Sequence, residues 1–295
     1  MRSLNEMYKQ SILGKFNFSG RLEEIMELRR LVCLLGSVPA GGHILNKLMP
    51  YGRKVPLSFS RSSKGMSSDF DLRTKCIRVV RIDMAVPGIT RPQQLESMCL
   101  MVQALAHELQ HYCMCETINQ MLSSVCNIDE LRLALRVFEA NACFAENRVR
   151  KDLISKYPET DVMYVYHDPQ DPPGHMRLCS SENDARYIKY GGKTLRRLYT
   201  KPLDQDATSF VLEACMGANS AVEASVQGEI RAFKKRGFAL NSKKSKERFH
   251  AAIDMFLREM NVDLSPEELL EVSRRNFQAP FLEKLRTVLI NPRNQ

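Results

Sequence analysis

The stretch 104-ALAHELQHYCM-114 contains the residues best suited to do chemistry, because His107, Glu108 and His111 follow the pattern H-E-x-x-H. In a helix, residues four apart project from the same face, so both imidazoles can direct a nitrogen at one point about 2 Å away. Glu108 is rotated by one position, and its carboxylate can take a proton from a water held on the metal. The spacing predicts a zinc site with two histidine ligands and Glu108 as general base.

A catalytic zinc requires a third protein ligand and one open position. Glu139, in 135-LRVFEANACFAEN-147, is our first choice because it lies at the edge of the apolar stripe of a predicted helix. A carboxylate buried there is costly without a partner, and a metal is one such partner. Glu146 and Glu223 are weaker alternatives as the ligand. If Glu139 is instead held by an ion pair, the arginines on its own helix that could provide it are Arg132, Arg136 and Arg150.

These residues fall on two predicted helices, which would hold them on rigid backbone. The first runs from about Arg91 to about Cys115, with Thr90 as its N-cap, Pro92 in its first turn and Gln93 reaching back to the cap. The second runs from about residue 129 to 156. In both, apolar residues recur at steps of three and four, which indicates one buried face on each helix.

Two strand-like segments, 55-VPLSFS-60 and 76-CIRVVRID-83, precede the first of these helices. The polar stretch between them is too long for a tight turn, and we expect two antiparallel strands beside the active-site helix. If the second strand offers its edge to an extended peptide, Arg78 and Arg81 flank the cleft and favour acidic or phosphorylated substrates. The alternative is an ordinary strand in a small sheet.

The remaining pattern predicts an α+β fold that is mostly helical and ends in a C-terminal helical layer. We expect an N-terminal segment at 1–24, a core at 25–160, an irregular proline-rich connection at 161–205 and a helical region at 206–295. Helices are predicted at 22–32, across the start of the core, and at 43–49. In the C-terminal region they are predicted at 206–236, 245–260 and 265–275, the last with Ser265 as its N-cap. The group that stabilises an oxyanion is not identified by the pattern, and its candidates are Tyr164, Tyr166, His167 and His175.

Composition restricts the class of protein. The 295 residues are 44% hydrophobic and 26% charged, which is typical of a globular protein without long disordered or repetitive segments. Nine cysteines without a C-x-x-C pair favour reduced thiols in a cytoplasm, and we expect Cys113 and Cys115 to be packing residues. No signal peptide or transmembrane segment is recognisable. Cytoplasmic localisation is therefore expected, and export into another cell without a signal peptide is compatible with it.

The net charge of +9 is most concentrated in 231-RAFKKRGFALNSKKSKERFH-250. Such a run can bind an anionic partner, but no nucleic-acid-binding motif accompanies it, so a nucleic acid is not favoured. A second function class is nevertheless open: a basic helical interaction protein in which the zinc site is structural or degenerate. The sequence does not indicate an oligomeric state.

The H-E-x-x-H helix followed by a glutamate on a later helix resembles the zincin metallopeptidases whose third ligand is a glutamate. The order of 37-SVPAGGHIL-45, two strands, 105-LAHELQH-111 and 136-RVFEANA-142 also resembles a family of uncharacterised bacterial metallopeptidases, over roughly residues 25 to 155. The resemblance implies a zincin-like fold, Zn²⁺ bound by His107, His111 and Glu139, and a peptide or protein substrate. One departure stands out: where well-studied relatives carry an aspartate that orients a histidine, this chain has Cys143.

Overall fold

The protein is a mostly helical α+β chain with short strands, as predicted. The structure, a computed structural model, describes residues 10–48, 53–60, 68–82, 91–158, 164–166, 175–179, 206–216, 230, 239 and 242–274. The strands are β1 (Phe16–Ser19), β2 (Val55–Phe59), β3 (Asp69–Asp71), β4 (Cys76–Val79), β5 (Arg81–Ile82), β6 (Tyr164–Tyr166) and β7 (His175–Cys179). The helices are α1 (Leu22–Leu35), α2 (Pro39–Lys47), α3 (Arg91–Cys113), α4 (Cys115–Ser124), α5 (Ile128–Lys156), α6 (Ala207–Cys215), α7 (Lys243–Met260) and α8 (Pro266–Arg274).

The larger sheet has the strand order β1-β2-β4-β3 and is mixed. The expected antiparallel pairing of the two predicted strands is wrong, because β2 and β4 run parallel, with Leu57 opposite Ile77. The reason lies in the polar stretch between them, which contains β3. This short strand pairs antiparallel with β4, with Phe70 opposite Ile77, so the chain has already crossed back before β4 begins. The second sheet has the order β5-β7-β6.

Helix α2 begins at Pro39, four residues earlier than the pattern predicted, and proline is favoured at a first helical position. A Cβ atom at Gly41 would lie 2.0 Å from the carbonyl oxygen of Leu35, at the end of α1. Only glycine allows this close approach of the two helices. The start of α2 is further satisfied by Asp152 of α5, whose Oδ2 accepts the Ala40 amide at 2.7 Å.

The chain divides into two compact units. The first comprises residues 1–113 and 145–203, and the second comprises 114–144 and 204–295. The core of the first unit is built from apolar faces of α1, α2 and α3 on the larger sheet, together with Val149 and Leu153 of α5. In the second unit, Phe138 contacts Phe256 edge-on, with ring centroids 6.0 Å apart.

The two long helices match the prediction. The buried face of α3 includes Val102, Leu105 and Leu109, none of which is exposed to solvent. The helix ends at Cys113, two residues before the predicted end, and a separate helix, α4, begins at Cys115. Both cysteines are buried, as expected of packing residues. The predicted cap at Thr90 lies outside the described residues. Within the described part of the chain, no helix is both long and apolar enough to cross a membrane.

The last helix, α8, begins with the predicted capping chemistry. Ser265 Oγ accepts the Glu268 amide at 3.2 Å, and the Glu268 carboxylate accepts the Ser265 amide at 2.7 Å. This reciprocal pair confirms Ser265 as the N-cap of α8. The predicted helix over 206–236 is described as α6 up to Cys215, and most of the remainder lies outside the described residues. Half of the basic run over 231–250 also lies outside the described residues; Ala239 and residues 242–250 are described.

Candidate metal centre

Two imidazole nitrogens face each other one turn apart on α3. The Nε2 atoms of His107 and His111 are 3.1 Å apart, and the two rings lie nearly perpendicular with centroids separated by 4.7 Å. Two nitrogens that bind one zinc ion at about 2.0–2.1 Å in tetrahedral geometry are about 3.4 Å apart. The observed pair is therefore close to the geometry of a bound ion, with a few tenths of an ångström to adjust.

Glu139 of α5 adds an oxygen to this pair. One ligand atom from each of His107, His111 and Glu139 lies within 4.8 Å of the other two, so the three residues form a group able to hold a metal ion. His111 is buried, whereas His107 and Glu139 are half-buried. A donor set of two imidazoles and one carboxylate suits a divalent ion such as zinc and leaves one tetrahedral position for another ligand. These are the three residues that the sequence indicated as ligands.

Glu146, the weaker alternative for the third ligand, contacts the other nitrogen of His107. Its Oε2 lies 3.1 Å from His107 Nδ1. A carboxylate that accepts the Nδ1 proton leaves the lone pair on Nε2, the nitrogen that faces His111. The other alternative, Glu223, lies outside the described residues. Cys143 joins this side of the cluster: His107, Cys143 and Glu146 form a second group whose ligand atoms lie within 4.8 Å of one another.

The sequence pattern did not predict that Glu146 contacts His107 Nδ1 or that Cys143 lies beside them. A signal for both was present, since Cys143 and Glu146 follow Glu139 at four and seven residues. That spacing places all three side chains on one stripe of α5. The stripe is recognisable in the sequence, but which imidazole nitrogen each side chain meets depends on the orientation of the ring.

Glu108, the predicted general base, belongs to neither metal group of the described residues. It is buried, with 6% of its surface exposed. On its helix it follows His107 directly, so its carboxylate projects from a different face than the two imidazoles. This placement is compatible with the predicted proton-transfer role, which stays a prediction.

The aromatic ring of Phe70, in the larger sheet, contacts the buried His111. Phe70 of β3 stacks on the His111 ring at 6.4 Å between centroids, with 22° between the ring planes. The Phe70 ring also contacts the Tyr112 ring edge-on, with centroids 6.0 Å apart. Phe70 therefore packs against the imidazole whose Nε2 faces His107.

Two basic side chains of α2, Lys47 and His43, have lowered pKa values. Burial lowers the pKa of Lys47. Cys113 raises this pKa again in part, and the charge of Arg148 lowers it further. Burial also lowers the pKa of His43, and the charges of Lys47 and Arg148 lower it further. A lowered pKa keeps the His43 imidazole neutral at pH 7.

The two arginines expected to flank a substrate cleft are already paired. Arg78 forms an ion pair with Asp69, and Arg81 donates to Glu27 at 2.9 Å. The strand that carries Arg78, β4, is paired on both sides by β2 and β3, so it offers no free edge. The predicted strand also includes β5, which carries Arg81 and lies at an edge of the smaller sheet as described, so the expectation that this strand receives the substrate stays a prediction. The backbones of Tyr164, Tyr166 and His175 lie in the smaller sheet, whereas His167 lies outside the described residues.

Comparisons with known proteins do not indicate what this site does. No protein-family model matches the chain, and no curated protein or solved structure shows significant similarity to it. The chain thus contains a His/Glu group that could hold a metal ion, and its chemical role is inferred from the residues themselves.

Proposed function

We propose that the protein is a zinc-dependent metallopeptidase. One observation carries the proposal: His107, His111 and Glu139 bring ligand atoms within 4.8 Å of one another, with the two Nε2 atoms directed toward each other. Two imidazoles, one carboxylate and an open fourth position form the donor set of a hydrolytic zinc centre. The directly adjacent Glu108 supplies the carboxylate that such chemistry requires.

Each side chain has a separate task in this proposal. Zinc, when bound, would act as a Lewis acid and lower the pKa of a coordinated water toward neutrality. Glu146 holds the proton of His107 at Nδ1, which reserves Nε2 for the metal. Glu108 takes the proton of the attacking water and passes it to the nitrogen of the leaving amine. Phe70 keeps the His111 ring in place.

A peptide is the substrate class that the surroundings favour. Among the described strands of the larger sheet, β3 lies at an edge, and its Phe70 contacts His111. An extended peptide that pairs with β3 through main-chain hydrogen bonds would pass beside that imidazole. The edge that we propose for the substrate is therefore β3, one strand away from the edge expected from the sequence.

The variant Glu108→Gln tests the proposal by separating metal binding from chemistry. We expect it to retain zinc and to lose peptide hydrolysis by about 10²- to 10⁴-fold, the usual contribution of a general base. Glu116→Gln, which changes an exposed carboxylate on α4, is the matched control and should behave as the wild type. Cleavage of a mixed peptide library, followed by mass spectrometry, measures the activity. Full activity in Glu108→Gln would exclude the proposed mechanism, and zinc binding without any cleavage by the wild type would indicate a structural zinc site.

A further inference from the structure

The two metal-compatible groups share a single side chain, His107. One group uses His107 with His111 and Glu139, and the other uses His107 with Cys143 and Glu146. Since His107 Nε2 faces His111 and His107 Nδ1 faces Glu146, the two groups lie on opposite nitrogens of the same ring. Cys143 and Glu146 are three residues apart on α5, so their side chains neighbour each other on that helix.

We propose that His107 Nδ1, Cys143 Sγ and Glu146 form a second metal position that takes thiophilic ions and inhibits the enzyme by displacing zinc from the first. The proposal rests on the proposed function for its consequence, inhibition, but the binding itself does not depend on it. All three residues are half-buried, and the side chains of His107 and Glu146 are 18% and 16% exposed. An ion can therefore approach without unfolding of the cluster.

Proton placement makes the two positions exclude each other. A neutral imidazole has one nitrogen lone pair and carries its proton on the other nitrogen. With the proton on Nδ1 and donated to Glu146, the lone pair on Nε2 serves the first position. When an ion binds at Nδ1, the ring proton moves to Nε2, and the Cys143 thiol releases its proton to solvent as the thiolate coordinates. The Nε2–H can no longer bind the first ion.

The donor set determines which ions the second position selects. A thiolate favours soft or borderline ions such as Cd²⁺, Cu⁺ and Zn²⁺ over Mg²⁺ or Ca²⁺. The first position lacks sulfur, and its imidazole and carboxylate donors suit Zn²⁺ at ordinary concentrations. The cluster is thus arranged to function with zinc and to be switched off by excess of a more thiophilic ion.

Cadmium titration of the metal-free full-length protein tests the second position directly. Coordination by a thiolate gives an ultraviolet charge-transfer absorption, which oxygen and nitrogen ligands do not give. We expect the absorption in the wild type and in Cys126→Ser, a control at another half-buried cysteine. We expect Cys143→Ser to lose the part of the absorption that saturates first and Glu146→Gln to weaken cadmium affinity by about tenfold or more. An unchanged titration of Cys143→Ser would overturn the proposal.

Two further arms distinguish this position from the proposed hydrolytic site. His111→Ala removes only the first group, so it should keep the Cys143-dependent absorption; its loss would show one mixed site and contradict two positions. Native mass spectrometry of zinc-loaded wild type should show one zinc released for each cadmium bound at Cys143. A chain that holds both ions at once would contradict exclusion. Because neither readout uses hydrolysis, a protein without peptidase activity would leave this inference standing.

Discussion

Helix α5 carries two polar regions that differ in how their hydrogen bonds are completed. Arg136 is buried, and its Nη1 donates to the carbonyl oxygen of Cys215 at 2.6 Å and to Ser273 Oγ at 3.1 Å. Around His107 the arrangement differs, because nitrogen, oxygen and sulfur atoms that can bind a metal ion lie within 4.8 Å of one another in two groups. A buried guanidinium whose acceptors are present is complete in itself, whereas a group of imidazole, carboxylate and thiol side chains at this spacing is suited to receive a cation.

The contrast separates a residue that stabilises the fold from residues that can do chemistry. The Arg136 contacts join α5 to the ends of α6 and α8 within the second unit. Beside them, burial raises the pKa of the Cys215 thiol to about 12, which Arg136 partly opposes. That thiol stays protonated and unreactive at pH 7. Burial alone therefore does not mark a functional polar residue, whereas the grouping of side chains that can bind a metal ion does.

Replacement of Glu139 by Gln should give the largest effect on the metal centre. The amide keeps the size of the side chain but removes its charge, and zinc affinity should fall by more than about 100-fold, beyond the loss typical of a residue that only orients a ligand. Isothermal titration calorimetry measures the affinity, with Glu116→Gln as the control. Equal affinities of Glu139→Gln and the wild type would remove Glu139 from the ligand set.

Replacement of Arg136 by Met should lower the stability of the fold rather than the affinity for zinc. The free energy of unfolding should fall by about 2 kcal/mol, because the Cys215 carbonyl and the Ser273 hydroxyl lose a charged donor. Zinc affinity should not change. Arg132→Met is the matched control: its ion pair with Asp129 is long, at 3.7 Å, and partly exposed, so we expect a loss of no more than about 0.5 kcal/mol. Chemical denaturation measures the free energy of unfolding of both variants. A loss of zinc binding in Arg136→Met would erase the proposed distinction.

The smallest effect is expected from Ser265→Ala at the start of α8. Loss of the capping hydroxyl should lower the free energy of unfolding by about 1 kcal/mol at pH 7. Hydrogen bonds from Ser265 lower the pKa of Glu268. A lowered carboxyl pKa gives stability that is present above the unfolded value of about 4.3 and is lost as pH falls through the folded value. The difference between wild type and Ser265→Ala should therefore shrink below about pH 4 in denaturation curves. A constant difference would contradict this cap geometry.

Local patterns predicted most of the helices and the residues of the group that could hold a metal ion, because their information lies within one or two turns. The spacing of His107 and His111 and the stripe position of Glu139 are examples. Features that depend on distant parts of the chain were not predictable. The parallel pairing of β2 with β4 depends on β3, a strand of only three residues inside a polar stretch. The close approach of Gly41 in α2 to Leu35 in α1 likewise depends on two separate helices.

The central claim is that His107 and His111 of α3 and Glu139 of α5 bind one zinc ion, and the zinc content of the purified chain tests it most directly. Native mass spectrometry, supported by elemental analysis, should find one zinc ion per chain in the wild type and none in His107→Ala. Circular dichroism should show the same helical content in both proteins. Absence of zinc from the wild type after incubation with the ion, or unchanged zinc in His107→Ala, would contradict the account.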